Sequence, residues 1–436
     1  MKLAAHPYQK IGSRFIKDRK YVLIGDEMGL GKTPQSLAVM EEVCEKGGIC
    51  VVVCPAMLRF MWRKEIKKFT NLSSAIVKGK DYDFQRVPDV FIVSYEGLKH
   101  IPHDLKPAMV VFDECHYLKN PQAQRTKTAH EFIWDIRPEY CVGLSGTPIK
   151  NNVGEFYSIL KLLSYSPTSS NGIPLKEKSQ YAFQLKFSNP ITKTINLKPK
   201  DGEQRGRSIE ISEFHGLRNK DLLKSYLKNK YIRRVASKVL DLPPITSMNV
   251  RLDDKDTITS RRLLAAYNTW IQEGKMGDHI TQLKVASAME KVPFTCSYLL
   301  NMTEQGERVV VFSDHVDPLI AIGKTMAKSK VICEEITGNV SSKEREARID
   351  RFQKGRTQVL ACSIRAASTG LTLTRARNLV FNDLSWVPAD IEQARKRIHR
   401  IGQEHPCVIH YMLQGEIDER IQEKILEKSA LMKEIL

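Results

Sequence analysis

The 436 residues contain no apolar run long enough to cross a bilayer, which argues against a helical membrane protein, and no membrane partner is expected. The first residues, Met1-Lys2-Leu3-Ala4-Ala5-His6-Pro7, lack the apolar core of a secretory signal, so a cytoplasmic location is expected. No cysteines stand in Cys-x-x-Cys spacing, and the nine present are odd in number and scattered. That argues against a disulfide framework or a structural zinc site and fits a reducing compartment. Internal repeats, low-complexity tracts and appended reader modules are absent too. Acidic residues are the scarcer charged class: 50 Asp and Glu face 68 Lys and Arg, a net charge of +18. Charge aids solubility, but a bias this large in a cytosolic chain points to a polyanion, nucleic acid above all. What remains, 42% apolar and 27% charged residues, is the composition of a folded globular chain with room for two or three domains.

One expected glycine is also missing. Gly25-Asp26-Glu27-Met28-Gly29-Leu30-Gly31-Lys32-Thr33 follows the apolar strand Tyr21-Val22-Leu23-Ile24 and precedes the helical pattern Ser36 to Glu42. Strand, glycine-rich turn and helix is the context of a phosphate-binding loop. The strict spacing would put a glycine at Asp26, and here Gly25 stands one residue earlier. Gly-Lys-Thr also occurs in ordinary turns, so the rest of the chain must decide. As a nucleotide site, Asp26, Gly29, Leu30 and Gly31 shape a backbone cradle for an anion at the helix N-terminus. Lys32 then reaches the β- and γ-phosphates of ATP, and the Thr33 hydroxyl holds Mg²⁺. Gln9, in His6-Pro7-Tyr8-Gln9, reads an adenine edge through its amide, or else is a surface residue at a helix start.

Ile49 to Cys54 reads as a buried strand ended by Pro55, Trp62 to Phe69 as a basic amphipathic helix, and Phe91 to Glu96 as a strand with a polar end. Strand ends are where open α/β sheets bind ligands. The strand Met109 to Phe112 delivers Asp113 and Glu114 side by side. Asp113 suits a Mg²⁺ shell, and Glu114 suits orienting and deprotonating the attacking water. The pair repels unless a cation sits near it. Cys141 to Pro148 is a further strand ending in Ser145 and Thr147, small hydroxyls suited to relaying the state of a γ-phosphate site. In Gln393 to Gln403, Arg397 and Arg400 lie three apart, which a helix would place on one face toward a phosphoryl group in transfer.

Asp26 to Thr33, Asp113 to His116 with Leu118-Lys119-Asn120, and Leu144 to Ile149 resemble motifs I, II and III of the Swi/Snf family of superfamily 2 helicases and DNA translocases. In that family an Asp opens motif I, so Asp26 fits. Arg308 to Ser313, Val359 to Leu373 and Gln393 to Gln403 resemble motifs IV, V and VI. Two basic residues, Arg395 and Lys396, stand in motif VI where the second position is usually acidic. Ala366-Ala367 replaces the glycine pair of most remodelling members, which resembles the annealing-helicase, HARP-like branch. The resemblance implies an α/β fold of two RecA-like parallel-sheet lobes with ATP and Mg²⁺ in the cleft between them, and adds Gly370 and Gln393 to the nucleotide site. It implies DNA as partner, duplex or branched, held mainly through the backbone by Arg59, Lys64, Ser94, Lys119, Asn120, Ser313, Ser363 and Thr372. The function implied is a DNA-dependent ATPase and helicase that remodels branched DNA by fork regression, branch migration, unwinding or annealing. The alternatives are a duplex translocase that strips bound proteins, an RNA helicase, or a nucleotide-gated switch. Replication or recombination proteins are candidate partners, and no oligomer is implied. The compact length points to a bacterial or viral member, the latter working in the cytoplasm of an infected cell.

The expected domains are lobe 1 at 1–165, an insertion at 166–248, a helical subdomain at 249–300, and lobe 2 with a C-terminal helix at 301–436. Within the insertion, alternating residues from Ile191 to Leu197 and at Ile209 and Ile211 flank Asp201-Gly202, so a β-hairpin over 187–213 is expected. Lys193, Arg205 and Arg207 make it a basic element to meet DNA, as a wedge at a fork.

Overall fold

A computed structural model describes residues 5–80, 82–149, 152–165, 175–197, 207–252, 257–273, 279–367 and 371–435. The chain divides into two compact units, one comprising Met1–Val239 and Leu431–Leu436, the other Leu240–Ala430. Each carries its own parallel sheet with helices, the two-lobed α/β class expected.

In the first unit the strands are β1 (Tyr21–Ile24), β2 (Cys50–Cys54), β3 (Ser74–Ile76), β4 (Val90–Ser94), β5 (Met109–Asp113) and β6 (Tyr140–Leu144). A hairpin of β7 (Asn189–Leu197) and β8 (Arg207–His215) precedes β9 (Tyr231–Ile232), and the sheet runs β3-β4-β2-β5-β6-β1-β9. The central strands are near-continuous apolar runs because both faces are covered. Alternate residues serve opposite cores. Tyr21, Leu23, Val51, Val53, Val110 and Phe112 face one core, and Val22, Ile24, Val52, Cys54 and Val111 the other. The helices α1 (Pro7–Arg19), α2 (Lys32–Glu45) and α3 (Arg59–Phe69) contribute to the second core, through Ile16, Leu37 and Trp62. The helices α4 (Gln124–Ile136), α5 (Phe156–Leu163), α6 (Gln180–Phe187) and α7 (Lys220–Leu227) contribute to the first, and the short α8 (Ala236–Val239) ends the unit. Strands β5, β6 and β1 are neighbours, and Leu144 lies level with both Asp113 and Ile24. Three loops of chemical interest therefore leave the sheet side by side.

The second unit has β10 (Ile245–Arg251), β11 (Val309–Ser313), β12 (Cys333–Ile336), β13 (Val359–Ser363), β14 (Asn378–Phe381) and β15 (Cys407–Leu413), in the order β10-β15-β14-β11-β13-β12. Its helices are α9 (Ile258–Glu273), α10 (His279–Glu304), α11 (Val316–Lys328), α12 (Ser342–Gln353), α13 (Ile364–Ala367), α14 (Pro388–Arg395) and, up to Ala430, α15 (Gly415–Ile435). Val310 and Phe312 face one core while Val309 and Val311 face the other, repeating the alternation of the first unit.

Three expectations are corrected. The stretch 166–248 is not one insertion. Tyr231–Ile232 extends the first sheet beyond β1, and Ile245–Arg251 pairs along the whole of β15 in the second. A sheet edge with unmet N–H and C=O groups is a strong local sink for an extended segment, which apolar periodicity alone does not reveal. The same pairing means that the helical stretch expected from residue 249 begins only at Ile258. The hairpin is real, with Asn189 opposite His215 and Leu197 opposite Arg207, but it starts two residues later than expected. Phe187 is fully buried and closes α6 instead.

Candidate active site

The loop between β1 and α2 is shaped by two glycines in the left-handed region, Gly29 at φ 87° and Gly31 at φ 67°. Gly31 is the N-cap of α2, and no side chain caps the helix there, so its first amides face outward as donors for an anion. The packing demands glycine as well, since a Cβ on Gly31 would lie 2.4 Å from Gln9 Nε2. Gln9 is buried, donates Nε2 to the Leu30 carbonyl at 3.2 Å and accepts the His6 amide at 3.0 Å. The amide expected to read adenine thus braces the loop itself. Leu30 is wholly buried, so it offers the loop a backbone carbonyl and a core side chain. Lys32 donates Nζ to the Asp26 carbonyl at 2.9 Å, which holds the ammonium across the loop. Burial lowers its pKa, opposed first by the Glu114 carboxylate. Thr33 follows at the second position of α2, half-exposed.

Asp113 ends β5 and is buried. Its Oδ2 accepts Trp62 Nε1 at 2.7 Å and its Oδ1 accepts the Glu114 amide at 3.0 Å. Burial, and then the neighbouring Glu114 charge, push its pKa up to about 7 despite those bonds and Lys32. Glu114 itself has φ 51° and ψ 49°. A non-glycine residue there costs about 1–2 kcal/mol, and the surroundings must hold it. The turn swings the Glu114 carboxylate to 3.2 Å from His116 Nδ1, and the same nitrogen lies 3.1 Å from Ser145 Oγ, which also accepts the Thr147 amide at 3.2 Å. A chain of contacts thus runs from the carboxylate to the end of β6. The donor set fits Mg²⁺. A carboxylate whose pKa is raised by burial and by a neighbouring carboxylate, on the same sheet end as the loop that carries Thr33, offers the few oxygen donors that Mg²⁺ needs when it also binds phosphates. No cluster of three or more His, Cys, Asp or Glu exists among the described residues, so a closed protein cage for a metal is not formed there.

The Asp26 side chain is an anchor. It is wholly buried, and Arg234 grips it with Nε on Oδ1 at 2.9 Å and Nη2 on Oδ2. Gln35 joins, donating to Asp26 Oδ2 and accepting Arg234 Nη2, both at 2.8 Å. The guanidinium also donates to the Tyr8 carbonyl and lies 5.4 Å from the Tyr8 ring centre. The segment 230–236 runs along the end of β1 and the first part of the loop, to Glu27. The Leu23, Gly25 and Glu27 amides donate to the Lys230, Ile232 and Arg234 carbonyls, and the Ala236 amide donates to Glu27 Oε2 at 2.6 Å. Arg233 Nη1 reaches the Gly25 and Gly146 carbonyls, both at 3.3 Å, so one side chain ties the β1 and β6 loops together. Sequence reasoning did not place Arg233 or Arg234 in the site. Asp26 lies 208 positions upstream of Arg234, beyond any local pattern. Trp62 was missed for the same reason.

In the second unit Arg397 is buried and Arg400 donates Nη1 to the Leu371 carbonyl at 3.2 Å. The single helical face expected for them is corrected, because α14 stops at Arg395. Gln403 Nε2 donates to the carbonyls of Ile398, Thr374 and Ala376, which ties the stretch after α14 to the loop before β14. Gln393 is buried, and its amide has no hydrogen-bond partner among the described residues. Gly370 and Arg205 lie outside the described residues.

The candidate DNA contacts divide. Lys64 and Asn120 are exposed, Arg59 donates to the Ala56 and Val77 carbonyls, and Ser94 Oγ accepts the Gly97 amide. Lys119 is ion-paired with Glu155 at 2.8 Å. Thr372 is half-buried, and Lys193 and Arg207 lie on β7 and β8. Ser313 and Ser363 are corrected. Both are buried, Ser313 donating to Asp383 and accepting the His315 amide, Ser363 accepting the Ala366 amide. At the ends of central strands their hydroxyls close the following turn and are not displayed.

The chain matches the SNF2-related domain over residues 8–308 and the helicase conserved C-terminal domain over residues 290–402. The DNA annealing helicase and endonuclease ZRANB3 of Mus musculus is 30% identical, over 94% of this chain and 39% of its own length. The SWI/SNF-related matrix-associated actin-dependent regulator of chromatin subfamily A-like protein 1 of Bos taurus is 28% identical, over 98% of this chain and 44% of its own. The chain thus spans less than half the length of these relatives. The Sulfolobus solfataricus SWI2/SNF2 ATPase core in complex with dsDNA aligns with a TM-score of 0.46 at 23% identity, over 100% of this chain and 93% of that one.

Proposed function

The chain belongs to the SNF2-related family, and from that premise we propose that it is an ATP- and Mg²⁺-dependent DNA translocase that remodels branched DNA. The observation that carries the hydrolytic part is the Glu114 turn. A left-handed residue at a strand end aims a carboxylate beside the phosphate loop and couples it through His116 to Ser145. In this reading Glu114 orients the attacking water and takes its proton. Asp113 and the Thr33 hydroxyl would hold Mg²⁺, which supplies positive charge to the phosphates. Lys32, poised on the Asp26 carbonyl, exchanges that bond for phosphate oxygens, while the uncapped amides of α2 hold the rest of the anion. Arg397 and Arg400 are the candidates to stabilise charge on the transferred phosphoryl group.

The branched-DNA part rests on relatives named as annealing helicases, on Ala366-Ala367 in place of a glycine pair, and on a net charge of +18. Contacts to phosphates make the activity salt-sensitive and poor in base readout. The test is the ATPase rate with equal concentrations of single strand, blunt duplex, model fork and four-way junction, at two salt concentrations. Greater stimulation by fork or junction supports the proposal. Equal stimulation by blunt duplex favours a translocase that displaces bound proteins without separating strands. An RNA strand is included as a fifth substrate, and stimulation by RNA alone would overturn both.

A further inference from the structure

Helix α6 has two apolar faces. Phe183 and Phe187 are fully buried in the first unit, whereas Tyr181 is 55% and Leu185 41% exposed one turn apart on the other side. The Tyr181 ring stands edge-on to Phe214 of β8, with centroids 5.7 Å apart and an 82° interplanar angle, and Phe214 lies opposite Pro190 in the hairpin register. An aromatic corner is thus displayed where the hairpin leaves the body. Apolar side chains grouped this way on a surface usually mark a binding site. Lys178 is exposed just before α6, and Arg218, whose amide donates to the Phe187 carbonyl, is exposed just after the hairpin. The nearby acid Glu177 is taken up in an ion pair with Lys186 at 2.6 Å.

We propose that this corner is a stacking platform for unpaired bases of single-stranded DNA, with Tyr181 and Phe214 meeting the bases and Lys178 and Arg218 meeting the phosphates. It deepens the branched-DNA reading and rests on it. A protein partner fits less well, because interface cores are depleted in lysine. A strand with free bases offers both surfaces that the site complements, apolar rings and a row of phosphates. A duplex offers only the phosphates, since its base faces are already stacked. The platform gives no sequence preference, because every base has a ring face.

The test uses the full chain and Tyr181→Ser and Tyr181→Trp variants, chosen because Tyr181 is exposed and its loss leaves the core intact. Affinity is measured for oligo-dT and for blunt duplex, and a fork carries 2-aminopurine at its first unpaired positions. Tyr181→Ser is expected to weaken oligo-dT binding at least about fivefold, the loss of one stacked base, while duplex affinity holds. Tyr181→Trp is expected to keep both, and only the wild type and Tyr181→Trp should quench 2-aminopurine. Unchanged oligo-dT affinity in Tyr181→Ser, or an equal loss for duplex, overturns the platform. So does loss of a dimer in sedimentation with single-strand affinity intact, which would assign the corner to a second copy of the chain. The two readings fail separately. If ATPase responds to duplex and not to forks, yet Tyr181→Ser still loses single strands, the branched-DNA function falls and the platform stands.

Discussion

Replacing Arg234 by methionine keeps much of its volume and removes the guanidinium that is ion-paired with the Asp26 carboxylate. Asp26 is wholly buried, and the variant leaves it the Gln35 amide and the Arg234 backbone amide as donors. Breaking a buried ion pair from one side costs about 3–5 kcal/mol. The unit escapes that cost by letting the loop swing out until Asp26 meets water. A ligand that needs the loop closed must then supply the closing free energy. At about 1.4 kcal/mol per factor of ten, a cost near 3 kcal/mol is roughly 150-fold in affinity, and the two remaining donors set a lower bound near tenfold. Nucleotide binding by Arg234→Met is therefore expected to weaken between about 10- and 150-fold, measured by titration with a non-hydrolysable analogue. Hydrogen exchange should quicken at the amides of Gly25 to Gly31 before it quickens elsewhere. Arg234→Lys keeps the charge without the two-pronged grip and falls between. Adding Asp26→Asn to Arg234→Met removes the stranded charge and should recover part of the loss, a coupling that a double-mutant cycle measures. Nucleotide affinity within about threefold of wild type, with unchanged exchange at the loop, would refute the anchor.

Lys32→Ala and Glu114→Gln are each expected to abolish DNA-stimulated ATPase activity, and phosphate release near the wild-type rate in either would refute the site. Asp113 has its folded-state pKa raised to about 7, so the folded chain holds a proton that the unfolded chain releases near the ordinary carboxyl value of 3.8. Its charging therefore opposes folding progressively as pH rises from about 4 through about 7, by roughly 4 kcal/mol in all. Mg²⁺–nucleotide should expel that proton, so affinity rises over the same window and levels above it. Calorimetry at pH 6 in two buffers of different ionisation heat should find proton release, and Asp113→Asn should abolish it. Deleting Lys193 to Ile209, with a short turn in its place, should abolish fork unwinding and spare duplex-stimulated ATPase; intact unwinding would show the hairpin to be dispensable.

The sequence made the two-lobed α/β class legible because doubly covered parallel strands leave continuous apolar runs, as in Met109 to Phe112. The motif positions of Lys32, Asp113 and Glu114 were legible because their chemistry is packed into short segments, and the SNF2-related match bears out the family. What escaped was long-range. Nothing near Asp26 announces Arg234, and nothing in Trp62-Arg63-Lys64 says that the indole will reach Asp113. The helix that would have put Arg397 and Arg400 on one face stops at Arg395, and beyond it the Gln403 side chain bonds to carbonyls of Ile398, Thr374 and Ala376, the last two far from it in sequence. Ser313 and Ser363 were read by motif position, which does not say whether a strand-end hydroxyl faces out or closes its own turn.

The pairing of Asp26 with a residue 208 positions later also sets a schedule. At synthesis rates of about 5–20 residues per second, the loop leaves the ribosome roughly 10–40 s before its counter-ion. In that interval β1 lacks β9, so one edge of the sheet has unmet hydrogen bonds and is open to wrong pairing. Contacts of such separation form late and slow the completion of a fold. The loop's anchor thus arrives with Arg234, after the hairpin has already been made. A nascent chain shorter than that carries every residue of the phosphate loop and is still without its lock.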